Sequence, residues 1–203
     1  MSKILILEDR PSRQRLFLPN REKDIETLLS ISGLSIPLVD DCKKIIDEIN
    51  NERYLFKDTL KLLIIHKSSI NSKGLMYVYK ACKDQCIKII FFSGGIAQLN
   101  YHNENLEFLN INSSDLYSAR LIPFIRNFLQ DKVDNLLELV YENWELTYLL
   151  QLRKLIYSRD SEIEIYKNRF DHKIKMINQI LGYEKEMEEQ NLNALINKII
   201  LNL

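Results

Sequence analysis

The chain has 203 residues, 46% of them hydrophobic and 28% charged, and its 28 Lys+Arg balance its 28 Asp+Glu. That length can bury a full core in one large domain or two small ones. The balance holds along the chain: 18 basic and 15 acidic residues precede position 131, and 10 and 13 follow. Neither part has the positive excess that binding a phosphate backbone demands, so no nucleic-acid partner is expected.

No apolar run approaches the ~18 residues of a membrane helix, and no membrane partner is expected. The apolar stretch Ile4–Leu7 is too short for a signal-peptide core, and Glu8 and Asp9 follow at once, so a cytoplasmic protein is expected. Three cysteines fit a reducing compartment as free thiols, buried or half-buried. Cys82 and Cys86 lie four apart, but no nearby His or Cys pair completes a zinc set. No metal and no cofactor is expected.

In chain order, short apolar runs alternate with helical patterns. Lys3–Leu7 reads as a strand buried on both faces. Arg21–Ser32 reads as an amphipathic helix carrying Ile25, Leu28 and Leu29, stopped at Gly33. Ser35–Val39 is a short strand, and Asp40-Asp41 caps a helix to about Asn50. Leu60–Ile65 is the second strong strand. Ser72–Lys83 is a helix with Leu75, Val78, Tyr79 and Cys82 on one stripe. Ile87–Phe92 is the next strand, ending in the turn Ser93-Gly94-Gly95. Leu106–Ile111 is a fifth strand, and Ser114-Asp115 caps a helix to about Gln130. His102 falls in a polar loop and is expected to be exposed.

Five strands alternating with helices imply an α/β fold with a five-stranded, doubly wound parallel sheet over residues 1–130. In such sheets the working crevice lies beyond the carboxyl ends of the strands. Glu8, Asp9, the turn at Asp40, His66, Ser93 and Asn110 fall there.

From position 131 the character changes, and Gly182 is the only glycine or proline after Pro123. Asp131–Tyr157 reads as a long helix with a broad apolar face that includes Leu136, Leu137, Val140, Tyr141, Trp144, Tyr148 and Leu152. Arg159–Leu181 and Glu184–Leu203 read as two more helices, split near Gly182. Residues 131–203 are thus expected to form an α-helical hairpin or three-helix region. Its stripe of Tyr141, Trp144, Tyr148 and Leu152 is the expected interface for a homodimer or a protein partner.

The layout of 1–130 resembles the receiver domain of two-component response regulators. Ile4–Arg10 is similar to that family's first strand and its metal-holding acidic pair. Leu60–Ser69 is similar to the strand that carries the phosphoryl-accepting aspartate. Ile87–Gly95 is similar to the strand whose terminal Ser or Thr senses the phosphoryl group, and Phe108–Leu129 to the last strand and helix. The resemblance implies a receiver or flavodoxin-like fold and a pocket of Glu8, Asp9, His66 and Ser93. It also implies a degenerate one. His66 stands where the family has its aspartate and cannot form an acyl phosphate. The family's lysine at the end of the fifth strand is missing from Leu109–Asn112. His66 is expected to plug the pocket, with a nearby carboxylate favouring its protonated form.

A second resemblance lies in Phe170–Tyr183. His172, Ile174, Lys175, Leu181 and Gly182 are spaced as in histidine phosphotransfer domains, with Met176 where that family has glycine. It would imply a phosphoryl-accepting His172 with Lys175 one turn away. The expected function is a non-enzymatic signalling or regulatory adaptor acting through protein–protein interaction. A phosphorelay protein using His172, and a small-ligand sensor using the crevice of Glu8, His66 and Ser93, are the alternatives.

Overall fold

The computed structural model describes residues 2–103 and 105–141. A compact unit runs from Met1 through Val140, where the sequence reading placed its border at 130. Trp144, Tyr148, Leu152, His172 and Lys175, with the helices expected beyond them, lie outside the described residues.

The unit is an α/β structure on a mostly parallel sheet. Its strands are β1 (Ile4–Leu7), β2 (Leu34–Ser35), β3 (Leu62–His66), β4 (Lys88–Phe92), β5 (Asn100–His102) and β6 (Phe108–Ile111). They lie in the order β2-β1-β3-β4-β6-β5, and only β5 runs antiparallel to its neighbour. Without β5 the order is compatible with a flavodoxin-like sheet. The unbroken apolar runs of β1, β3 and β4 are what a strand covered on both faces requires. Leu62, Leu63, Ile64 and Ile65 are all fully buried, each contributing about 1.5–3 kcal/mol.

The helices are α1 (Ser12–Phe17), α2 (Glu22–Ser30), α3 (Val39–Asn50), α4 (Ser72–Asp84), α5 (Ser113–Leu116) and α6 (Leu121–Leu129). Strand alternation sorts the core into two layers. Leu5, Leu7, Leu63, Ile65, Ile89 and Phe91 meet Cys42, Ile46 and Ile49 of α3 and Val78 and Cys82 of α4. The opposite face carries Ile6, Ile64, Ile90 and Phe92, and Tyr117 meets Phe92 edge-on at 5.7 Å. On α6, Leu121, Phe124, Ile125 and Phe128 are buried.

Five expectations need correction. The sheet has six strands, not five, because Asn100–His102 pairs with Phe108–Asn110. His102 is consequently half-buried, its ring stacked on Phe108 with centroids 5.0 Å apart. The last helix is broken at 117–120, and its first piece is capped by Asn112, whose side chain accepts from Ser114 N–H. The long helix does not begin at Asp131. Residues 136–139 form a 3₁₀ turn instead, with Leu136, Leu137 and Leu139 fully buried in the α/β unit. Among the cysteines, Cys42 and Cys82 are buried, but Cys86 is exposed.

Candidate functional site

The crevice forms where the parallel strands end together. Glu8 and Asp9 leave β1, His66 closes β3, Ser93 follows β4, and Asn110 belongs to β6. The register sets His66 beside Phe92 and Phe91 beside Asn110, so these residues reach one rim without any insertion.

His66 is the centre of the arrangement and is fully buried. Its Nδ1 lies 2.6 Å from Asp9 Oδ1, and its Nε2 lies 2.5 Å from Arg13 Nη1. A guanidinium can only donate, so Nε2 carries the lone pair and the proton sits on Nδ1, where it is donated to Asp9. The imidazole is therefore neutral, a correction to the expectation of a protonated ring. Burial disfavours the imidazolium and outweighs the help of the Asp9 carboxylate, and Arg13 and Arg10 oppose it further; the pKa is lowered from 6.5. Asp9 moves down from 3.8: burial alone would raise it, but hydrogen bonds from Ser69 and His66 win. The charge that balances Asp9 sits on arginine, not on histidine.

Glu8 points the other way along β1's end. Its Oε1 accepts Arg10 N–H at 2.8 Å, and its Oε2 accepts the Tyr117 hydroxyl at 3.0 Å. It is almost fully buried, and burial raises its pKa above 4.5 despite those two donors. Tyr117 is buried as well, which pushes its own pKa well up, and the Glu8 charge adds to the effect. The two carboxylates of the acidic pair thus have separate tasks. Asp9 orients His66, and Glu8 fastens α5 to the sheet.

The third corner is hydroxylic and basic. Ser93 is buried, its Oγ 2.7 Å from Ser68 Oγ, and Gly95 N–H reaches the same oxygen at 3.4 Å. The stretch in which the resemblance places a lysine holds Asn110. A lysine reaches it from elsewhere: Lys67, one residue past His66, donates from Nζ to Asn110 Oδ1 at 3.1 Å. Sequence reasoning missed Lys67, because a lysine was sought only at the end of the fifth strand, and it missed Arg13 of α1 altogether.

The structure brings together Glu8, Asp9 and His66, whose ligand-type atoms all lie within 4.8 Å of one another. A cation among them would face the Arg13 guanidinium and would have to displace it to use Nε2. Ser93 belongs to the Ser68 and Lys67 corner. Tyr141, expected in an interface, is half-buried at the end of the described segment. No helix among the described residues is long and apolar enough to cross a membrane. Compared with protein-family models, with curated proteins and with solved structures, the chain matches none.

Proposed function

We propose that this chain is a non-enzymatic signalling adaptor whose receiver-like domain is held in one state by an internal Asp9–His66–Arg13 plug. The supporting observation is that both ring nitrogens of a fully buried His66 are engaged, one by Asp9 and one by Arg13. The position that would carry a phosphoryl-accepting carboxylate is thereby closed, and the positive charge that a bound metal would supply beside the acidic pair is already present on Arg13. The strand-end rim is then a fixed element of the fold, and function rests on surfaces away from it. A protein partner, and pairing of two copies through residues past 140, belong to the same proposal.

The test is exposure of the full chain to acetyl phosphate and Mg²⁺. Intact mass should show no phosphoryl adduct, and the amide NMR spectrum should not move. A phosphoryl increment lost in His66→Asn would overturn the plug reading. One lost in His172→Ala would favour the phosphorelay alternative.

A further inference from the structure

The helix that carries Arg13 is short, and little of it is buried. Six residues are too few for a helix to hold itself in water, and Pro11 at its N-terminus has no side-chain acceptor to cap it. Within α1, Gln14 is buried and Arg13 half-buried, whereas Ser12, Arg15, Leu16 and Phe17 are exposed, Leu16 by 73%. The helix is therefore fastened through two inward polar side chains. Arg13 reaches His66 Nε2, and Gln14 is hydrogen-bonded to the Tyr117 hydroxyl. An exposed pair of Arg15 with Glu22 at 3.6 Å adds little.

Both ends of the segment are anchored independently of these contacts. Upstream, Arg10 N–H donates to Glu8 Oε1 at 2.8 Å. Downstream, Leu18 is buried, and Asn20 donates to the Asp24 carboxylate from its backbone N–H at 2.9 Å and from Nδ2 at 3.2 Å. Pro11 and Pro19 bracket the segment, and the chain reverses into α2 at Arg21 with a φ of 42°. Residues 11–17 thus join two fixed points without being part of the sheet or of a longer helix. Behind their two contacts lie His66, Tyr117 and Glu8, all buried.

We propose that residues 11–17 are a reversible strap over the rim: they lift as one piece between the anchors at Arg10 and Leu18, and lifting uncovers His66, Glu8 and Tyr117 while the sheet stays folded. The inference rests on the plug reading and adds its moving part. In the closed state the rim is the fixed element described above, and the strap is what keeps it fixed. Arg13 and Gln14 are consecutive residues on one helical turn, so withdrawing either withdraws the other. Segments with few buried apolar contacts are the ones that open locally, ahead of the sheet.

The test follows two initial rates in the full chain, each located by mass spectrometry. One is trypsin cleavage after Arg15; the other is carbethoxylation of His66 by diethyl pyrocarbonate, which needs a reachable imidazole nitrogen. Cleavage after Lys88, inside β4, reports unfolding of the sheet. Cleavage after Arg15 should far outrun cleavage after Lys88, because proteolysis tracks the population of the open form. In dilute urea the Arg15 and His66 rates should change little while the Lys88 rate climbs steeply, since the slope follows the surface exposed. Gln14→Ala leaves Arg13 and His66 in place, yet it should raise both the Arg15 and the His66 rates roughly three- to tenfold, the effect of one lost hydrogen bond. Arg13→Ala, which removes a charged donor, should raise Arg15 cleavage roughly tenfold or more. Circular dichroism checks that both variants stay folded. A His66 rate that stays flat in Gln14→Ala while Arg15 cleavage rises means that α1 frays without lifting, and overturns the proposal. So does a urea slope at Arg15 as steep as that at Lys88, or no rise in either rate in Gln14→Ala. Each of these results leaves the plug standing. His66 in the wild type reacting as fast as free histidine would remove the plug, and the strap with it.

Discussion

Arg13 Nη1 lies 2.5 Å from His66 Nε2, and that contact fixes the protonation state of the whole crevice. With the lone pair on Nε2 and the proton on Nδ1, a chain of donors runs from Arg13 through His66 to Asp9. The ends of the chain are charged and its centre is neutral. Removing Arg13 would leave Asp9 without the cation it faces across the ring, so Arg13→Ala should raise the His66 pKa toward its ordinary value. Histidine C–H chemical shifts against pH measure it.

Stability should depend on pH through the same ring. The folded-state pKa of His66 is lowered from 6.5, so the unfolded chain binds the extra proton first. The contribution of the neutral ring is complete above about 6.5 and is lost as pH falls below that value toward the folded pKa. Glu8 acts oppositely: its raised pKa favours the fold at low pH and costs stability as pH rises through and above 4.5. The difference in melting temperature between wild type and His66→Asn should therefore widen from pH 5 to pH 7. A difference that narrows over that interval would mean a protonated, stabilising His66.

Tyr117 and Glu8 form the buried hydrogen bond that ties α5 to β1. Tyr117→Phe keeps the ring against Phe92 but removes a donor from a buried carboxylate, which costs about 1–3 kcal/mol. Urea denaturation at pH 7 should show that loss. At pH 4, where Glu8 takes up its proton more readily than an ordinary glutamate, the loss should shrink.

Gly74 allows α3 and α4 to approach closely. A Cβ there would sit 2.5 Å from Asn50 Oδ1 and 3.0 Å from the Asn50 backbone. Asn50 cannot yield freely, since it accepts from Asn71 N–H and donates to Ser69 O. Gly74→Ala gains helix propensity of about 1 kcal/mol but overpacks a contact at a cost of about 1–3 kcal/mol. The urea midpoint should fall, although the same substitution on an open helix face would raise it.

Glu107 holds the segment that leads out of the domain. Its carboxylate takes Lys88 Nζ at 2.6 Å, Leu136 N–H at 2.9 Å and the Tyr101 hydroxyl at 3.1 Å. Glu107→Ala should release residues 135–140 before the sheet loosens. Hydrogen exchange should rise at Leu136–Val140 while β1, β3 and β4 stay protected; uniform exchange throughout would show that the segment is not separately latched.

The central strands were legible because burial on both faces leaves an unbroken apolar run, as in Leu62–Ile65 and Ile89–Phe92. β5 was not, since Asn100-Tyr101-His102 is a polar triplet in which only Tyr101 is buried. Leu136, Leu137, Leu139 and Val140 fitted a helical stripe equally well, and a short turn won because Asn135 and Glu138 cap it reciprocally. That asparagine–glutamate spacing was readable and marked a start at 135 rather than 131. Glu8, Asp9, His66 and Ser93 could be placed at one rim from strand order alone. Arg13 and Lys67 could not, because their side chains enter from a short helix and a turn with no periodicity.

The most direct test of the plug is ¹⁵N NMR of the His66 imidazole in the full chain across pH 5 to 8. The plug predicts the neutral Nδ1–H form at pH 7, with Nε2 shifted as an acceptor and titration below 6.5. An imidazolium at pH 7, with both nitrogens protonated, would contradict it.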